Sequence, residues 1–339
     1  MQKVELKEVG LDIGLAFAKH FYKTDYLHYG YWPEGLSVEP ANVFEAQENY
    51  ANLLLKHIPE GVSSVLDVGC GSGKFSEKLL EAGYTVDCVS PSPNLTKHVR
   101  ERLGDRAEIF ECRYEDVKTK KRYDLILCSE SFQYLLLEKA MAQTQKFLND
   151  EGYLLICDFF KQDVPGKSPV SGGHKIERFL KYMEDQPFRQ ITDIDITKET
   201  SPSLDIMRDL IQEVILPTWN TVAYYMTSNF PRFSRFLVLF FAKKLHKPTA
   251  NTFQAVPAAN SLPTSKHTVS SSIKKLSKAL VSSRFKTIFQ LFKHSGAPLR
   301  LHDRRHGQPL RNPEVLESHA CSADWHKGSG RETHSHPED

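Results

Sequence analysis

Val65-Leu-Asp-Val-Gly-Cys-Gly-Ser-Gly-Lys-Phe75 is the stretch that decides the fold. Val65 to Val68 are mostly apolar and read as a short buried strand. Gly69, Gly71 and Gly73 follow at alternate positions, and Lys74 to Ala82 reads as a helix. A strand, a glycine turn and a helix in that order open a nucleotide-binding α/β domain. Without a Cβ the chain turns sharply and lies close to a ligand. The free N–H groups at the helix start then face an anionic part of that ligand.

Spacing narrows the ligand. A phosphate-binding P-loop needs a glycine five residues ahead of the Gly-Lys pair and a Ser or Thr after the lysine. Val68 and Phe75 hold those places. The dinucleotide fingerprint Gly-x-Gly-x-x-Gly also misses, because the third glycine arrives one residue early. A nicotinamide oxidoreductase is thus the weaker rival.

Outward from the turn, strand and helix patterns alternate. Strands are expected at Thr85–Ser90, Ala107–Cys112, Tyr123–Cys128 and Tyr153–Phe159. Helices are expected at Asn94–Leu103 and Leu136–Leu148, with Asn149 to Gly152 as a terminating turn. The alternation implies a parallel sheet with helices on both faces. Two N-terminal amphipathic helices, Val9–Lys23 and Ala41–His57, flank the aromatic stretch Tyr26-Leu-His-Tyr-Gly-Tyr-Trp-Pro33. That stretch reads either as an apolar plug on the sheet or as a lid.

Asp67-x-Gly-x-Gly-x-Gly resembles motif I of the class I S-adenosylmethionine-dependent methyltransferases. Leu27-His-Tyr-Gly-Tyr-Trp32 resembles the N-terminal segment of the small-molecule type, related to the cyclopropane-synthase, tocopherol and alkaloid methyltransferase groups. The resemblance spans about residues 10–245. It implies a Rossmann-like, mostly parallel seven-stranded sheet and S-adenosyl-L-methionine as cofactor. It places Asp67, Gly69, Cys70, Gly71 and Gly73 at the cofactor, with Tyr29 and Trp32 closing over it. Two positions depart from the family. Ser90 stands where a ribose-binding acid is usual, and Arg113 where an adenine-binding Asp is common. The Tyr114 backbone and Glu115 or Asp116 are the substitutes expected at the adenine, and Asp87, three residues before Ser90, faces the wrong way. Ser129-Glu-Ser-Phe-Gln-Tyr134 resembles motif IV, so Ser129 is expected at the cofactor and Glu130 and Tyr134 at the reacting centre. His174, after a double glycine, and His28 complete the candidate acid–base set. Bland readings stand beside these: Glu130 as a helix cap and His174 as a structural histidine.

After Phe160 a substrate-covering insertion is expected over 161–247, including a strand at Phe188–Thr197, a helix at Ser201–Ile215 and the last sheet elements. The aromatic stretch 217–247 reads as a helix pair roofing an apolar pocket, or as a segment lying on a membrane. The expected division is therefore an N-terminal helical lid (1–60), a cofactor core (61–160), the insertion (161–247) and a low-order tail (248–339). Ile273, Leu276, Leu280, Ile288 and Phe292 suggest a basic amphipathic helix over 271–294 within that tail.

Composition sets outer bounds. The formal net charge of +2 over 339 residues argues against bulk nucleic-acid binding. Six cysteines without metal or disulfide spacing suit a reducing, cytoplasmic setting. No apolar run reaches the ~18–20 residues that span a bilayer. The expected activity is methyl transfer to a small, hydrophobic or lipid-like acceptor, without a metal. The alternative is a catalytically silent methyltransferase-like module tethered to a membrane or partner.

Overall fold

The computed structural model describes residues 6–162, 173–234 and 285–295. The chain enters through α1 (Leu6–Phe17), which runs on through a π-helical turn and stops at Lys23, where the backbone is left-handed. An extended segment leads to α2 (Val43–Lys56). The alternating core follows: β1 (Ser64–Val68), α3 (Lys74–Glu81), β2 (Thr85–Val89), α4 (Pro93–Leu103), β3 (Ile109–Phe110), β4 (Tyr123–Ser129), α5 (Leu137–Phe147) and β5 (Leu148–Lys161). Beyond it lie α6 (Ile176–Glu184), β6 (Phe188–Asp195), α7 (Thr197–Thr200), α8 (Pro202–Asp209), α9 (Leu216–Asn229) and β7 (Phe285–His294).

The seven strands form one sheet in the order β3-β2-β1-β4-β5-β7-β6. The pairings among β1 to β5 are parallel, and β7 runs antiparallel to both β5 and β6. The order reverses at β1, so the crevice at the carboxyl ends of β1 and β4 is where such a sheet receives a ligand. Alternation along the strands separates two cores. Leu66, Val68, Ile126, Cys128, Leu154 and Ile156 face α5 and α6, where Met141, Phe179 and Met183 complete the packing. Val65, Val86, Cys88, Leu125, Leu127 and Leu155 face α2, α3 and α4, against Tyr50, Leu54, Leu79 and Val99. Local chemistry sets the ends. Ser92 Oγ accepts the Leu95 N–H at 3.3 Å, and Pro93 opens α4. At the opposite edge of the sheet Asp124 takes the N–H and hydroxyl of both Ser63 and Ser64 at 2.8–3.0 Å and the Asn149 amide at 2.7 Å. Those donors hold its carboxyl well below the usual carboxylate range.

Four expectations need correction. Residues 285–294 are not helix but β7, wedged between β5 and β6 with Ile288, Phe289, Leu291 and Phe292 buried. Residues 271–284 lie outside the described residues. The last strand therefore comes from the presumed tail and not from 161–247. Asn149 to Gly152 is a break in strand register between Tyr123 and Leu125 of β4, with Glu151 at a φ of 63°, and β5 continues through it. The expected third strand shortens to Ile109–Phe110. The roof expected over 217–247 is represented by α9, none of whose residues is buried; 235–247 lie outside the described residues.

Phe289 is fully buried and packs on the His57 ring at 4.7 Å between centroids. Phe289→Ala should cost about 3–5 kcal/mol, read as a lower midpoint in urea unfolding. A near-neutral result would mean that β7 is not part of the folded sheet.

Candidate active site

The turn after β1 is built from three glycines with φ of 81°, 58° and 77° at Gly69, Gly71 and Gly73. The N–H groups of Gly69 and Cys70 both donate to the Val89 carbonyl, at 2.9 and 3.3 Å, which fixes the turn to the end of β2. A side chain at Gly69 is impossible, because its Cβ would fall on that of Ser131. Ser131 in turn donates to the Val68 carbonyl at 2.5 Å, joining the turns after β1 and β4. Gly71 differs: a Cβ there would meet only the Leu27 side chain, 3.7 Å away. That is an open cradle of backbone. Asp67 lies under the turn, accepting the Ser76 hydroxyl at 2.6 Å, and burial raises its carboxyl to about 6. Cys70 is buried beside it, and a hydrogen bond with Cys88 together with burial pushes its thiol well up.

The N-terminal segment lies across this turn. Ser72 Oγ donates to the Asp25 carbonyl at 2.5 Å. Arg102 bridges the Asp25 and Glu77 carboxylates at 2.6 and 2.9 Å and also donates to the Ser72 carbonyl. Lys19 reaches Asp25 at 3.3 Å. Beyond this clamp Tyr26 donates to Glu48 at 2.9 Å, and Lys78 pairs with the same carboxylate. His28 is stacked on Tyr50, with ring centroids 4.5 Å apart, and its Nδ1 lies 2.8 Å from the Tyr29 carbonyl. That contact makes Nδ1 the protonated nitrogen and leaves a lone pair on Nε2, which is buried without a partner. Burial drives the imidazole down to about 4, so it stays neutral.

The ends of β4 and β5 supply the other wall. Glu130 has a φ of 52°, unusual for a side chain of this size. Its N–H donates to the Cys157 carbonyl at 2.8 Å, and its Oε1 accepts the Tyr29 N–H at 2.9 Å. Burial, then the nearby Asp158 charge, pushes its carboxyl far above the carboxylate range. Asp158, absent from the sequence-based set, is 0 % exposed. Gln133 and Phe159 N–H donate to it at 2.9 and 2.6 Å, yet burial dominates and lifts it to about 7. Tyr29 meets the Phe159 ring edge-on at 5.0 Å. Tyr134 is 58 % exposed at the rim, and Ser129 Oγ lies 3.3 Å from the Tyr50 hydroxyl. His174 packs on Phe132 at 5.2 Å with Nε2 3.2 Å from the Phe132 carbonyl, and burial lowers its pKa.

Several expected contacts are otherwise engaged. Trp32 is buried against Ala46 and Ile206, with its indole N–H on Ser203 Oγ at 2.9 Å, so Tyr29 alone brings a lid aromatic to the β4–β5 wall. Glu115 accepts the Leu136 N–H at 2.7 Å and serves the start of α5. The Tyr114 ring is buried with its hydroxyl 3.0 Å from Thr144, leaving only backbone for a ligand. Ser90 Oγ accepts the Ser92 N–H at 3.3 Å and keeps its own proton to donate. Asp87 is held by Lys121 and Tyr123, both at 2.8 Å, at the far edge of the sheet. A surface hollow opens there too, with Lys121 paired to both Asp87 and Glu108 in its lining.

The open cradle at Gly71 and the orphaned His28 Nε2 are the features a polar, zwitterionic cofactor would complete. The residues present therefore fit S-adenosylmethionine, with backbone in place of the missing ribose acid.

Asp67→Asn keeps an acceptor for Ser76 and removes the ionisable group. Because the folded carboxyl titrates near 6 and an unfolded Asp near ~3.9, the folded chain holds the extra proton between these values. Stability should therefore fall as pH rises from about 4 to about 6, and the variant should flatten that fall. Urea unfolding of cofactor-free protein across this range checks it; parallel curves for both proteins would refute the assignment.

The methyltransferase-domain family matches residues 43–200, covering α2 to α7. An uncharacterized methyltransferase of Geobacillus sp. (strain WCH70) is 27 % identical over 184 residues, which is 53 % of this chain and 80 % of that protein. Malonyl-[acyl-carrier protein] O-methyltransferase of Anoxybacillus flavithermus is 31 % identical over 118 residues, 33 % of this chain and 45 % of that protein, so the match spans under half of that relative. Geranyl diphosphate C-methyltransferase of Streptomyces coelicolor A3(2), solved with geranyl diphosphate and S-adenosyl-L-homocysteine, superposes with a TM-score of 0.56 at 16 % identity, over 87 % of this chain and 100 % of that one. Residues 43–200 thus match a methyltransferase domain, and the glycine turn and the sheet order agree with the class I S-adenosylmethionine-dependent type.

Proposed function

We propose that the chain transfers a methyl group to a small, hydrophobic or lipid-like acceptor by in-line displacement. The observation that carries this reading is the wall at the ends of β4 and β5, where the Tyr29 and Phe159 rings meet beside Glu130, a carboxyl whose hold on its proton burial strengthens. An aromatic wall that disfavours charge on its own acid suits an apolar guest better than a cationic one. The solved neighbour's isoprenoid ligand supports the same class. The cofactor, when bound, supplies a methyl group activated by positive sulfur. Gly69 to Gly73 and His28 would hold it, helped by the Ser90 hydroxyl and the Tyr114 backbone. Orientation and exclusion of water by the 24–32 segment then do most of the work, since near-attack geometry can supply ~7–11 kcal/mol.

Glu130 acts as a hydrogen-bond donor in this reading. One oxygen accepts the Tyr29 N–H, and the other, carrying the proton, orients the acceptor. His174 and His28, both kept neutral by burial, are the remaining groups able to take a proton when the acceptor must lose one, while Tyr134 at the rim, whose hydroxyl burial holds protonated, is a hydrogen-bond donor. A peripheral membrane contact and a reducing cytoplasmic setting belong to the same proposal. Among the described residues no helix is long and apolar enough to cross a membrane, and the five described cysteines form no disulfide with one another.

Transfer of label from methyl-labelled S-adenosylmethionine into an organic extract of candidate acceptors tests the substrate class. Label confined to aqueous amines would sink it, and cofactor binding without transfer would favour the silent module. Gly71→Leu should lower stability by about 1–2 kcal/mol, because φ is 58° there, and weaken cofactor affinity by at least about a hundredfold, by filling the cradle; unchanged affinity in calorimetry of the folded variant would refute the site. Glu130→Gln preserves the donor–acceptor pattern and should hold kcat/KM within about threefold, whereas Glu130→Ala should lose about 10- to 100-fold. If the Gln variant is as impaired as the Ala variant, an ionised carboxylate is required instead.

A further inference from the structure

From Pro202 to Asn229 the chain is helical throughout, with a π-helical stretch at Leu210–Ile215 joining α8 to α9. Ile211, Ile215, Trp219, Val222 and Tyr225 recur at steps of four, four, three and three, the spacing of one helix side, with Val214 beside Ile215, and all are exposed, Trp219 by 66 %. No charged residue occurs between Glu213 and Arg232. A run of this length with that much apolar and aromatic surface in water is unusual for a monomer surface and marks a contact site.

The charge pattern says what covers it. Residues 235–284, which connect this helical run to β7, carry nine Lys or Arg and no Asp or Glu. The chain as a whole is nearly balanced at +2, so the positive charge is concentrated in the sequence that follows the apolar helix. A second copy of the chain would bring two such cationic, acid-free segments together, which is repulsive. A nucleic acid would find no cation on α9 itself. An anionic bilayer satisfies both halves: apolar side chains enter the acyl boundary, Trp and Tyr rings sit at headgroup level, and the basic connection meets anionic headgroups.

We infer that the exposed side of residues 211–225 is a docking surface for an anionic lipid bilayer. This rests on the peripheral contact proposed above and names its surface and its lipid charge. It does not depend on the acceptor, because the sheet positions the reacting centre separately. Co-sedimentation of the full chain with vesicles of phosphatidylcholine, alone or mixed with phosphatidylserine, tests it. Retention is expected on the anionic vesicles, weak on the neutral ones, and should fall as salt rises. Trp219→Ser, Val222→Ser and Tyr225→Ser combined should lower the partition at least about tenfold while S-adenosylmethionine affinity is unchanged. Hydrogen exchange across 211–229 of the unaltered chain should slow on the anionic vesicles. Absent retention, retention unaffected by the triple variant, unchanged exchange, or a dimer in sedimentation velocity that the triple variant dissolves would each overturn the inference. Methyl transfer to a soluble acceptor without vesicles is assayed in parallel, so failure of docking and failure of the acceptor class are told apart.

Discussion

The site depends on how closely two turns approach each other. Gly69 after β1 has room for a hydrogen atom only, because Ser131 after β4 lies against it and donates to the carbonyl of Val68. That contact sets the separation of the two central strand ends, and with it the width of the crevice between them. It also places the next residue in the chain. With Ser131 tied to β1 and the Glu130 N–H tied to Cys157, Glu130 is drawn into the left-handed region at 52°. A non-glycine residue there is strained by about 1 kcal/mol or more. The compensation on view is the charge-capable hydrogen bond from Tyr29, which only forms when the N-terminal segment is in place. The glycine turn, the strained acid and the covering segment are thus one mechanical unit.

The two edges of the sheet treat carboxylates in opposite ways. Asp124 at the amino edge has five donors and stays accessible, so hydrogen bonding wins and its pKa falls. Asp67, Glu130 and Asp158 at the carboxyl edge have one to three partners each and little water, so desolvation wins and all three rise. Asp158 shows the margin, since amide donors still leave it near 7. The carboxyl edge therefore carries less negative charge than the same three acids would carry in water.

Much of this was legible in the sequence. The glycine turn, β1, β2, β4 and β6 follow from alternation and punctuation, and period-two burial separates the two cores as expected. β7 was not legible, for a geometric reason. Ile288 and Phe292 are four apart, and four is both a helical step and twice the strand period. Only pairing with β5 and β6, some 93 to 140 residues earlier, settles which applies. Trp32 was misplaced because aromatic composition marks a lid without saying which ring faces inward; the Ser203 hydroxyl, 171 residues away, decides that. Asp158 carried no motif at all, and its importance comes from burial at a strand end, which no local pattern encodes.

The departures from the family pattern now have a structural counterpart. Ser90 is partly committed to Ser92, Glu115 to Leu136 and Asp87 to the far edge, so none of these three supplies a free carboxylate in place of the missing ribose acid. The chain instead invests polar contacts in holding the covering segment: Asp25, Arg102, Glu77, Ser72 and Lys19 form one network between that segment, the turn and α4. A single exposed pair among these would contribute only ~0–1 kcal/mol. Arg102 is different, being 17 % exposed in its side chain and bonded to two carboxylates and a carbonyl at once, so its bonds are both directional and poorly screened. In a site where the ligand is gripped less by side chains, the segment that closes over it has to be gripped more, and the Arg102 network is where this chain does so.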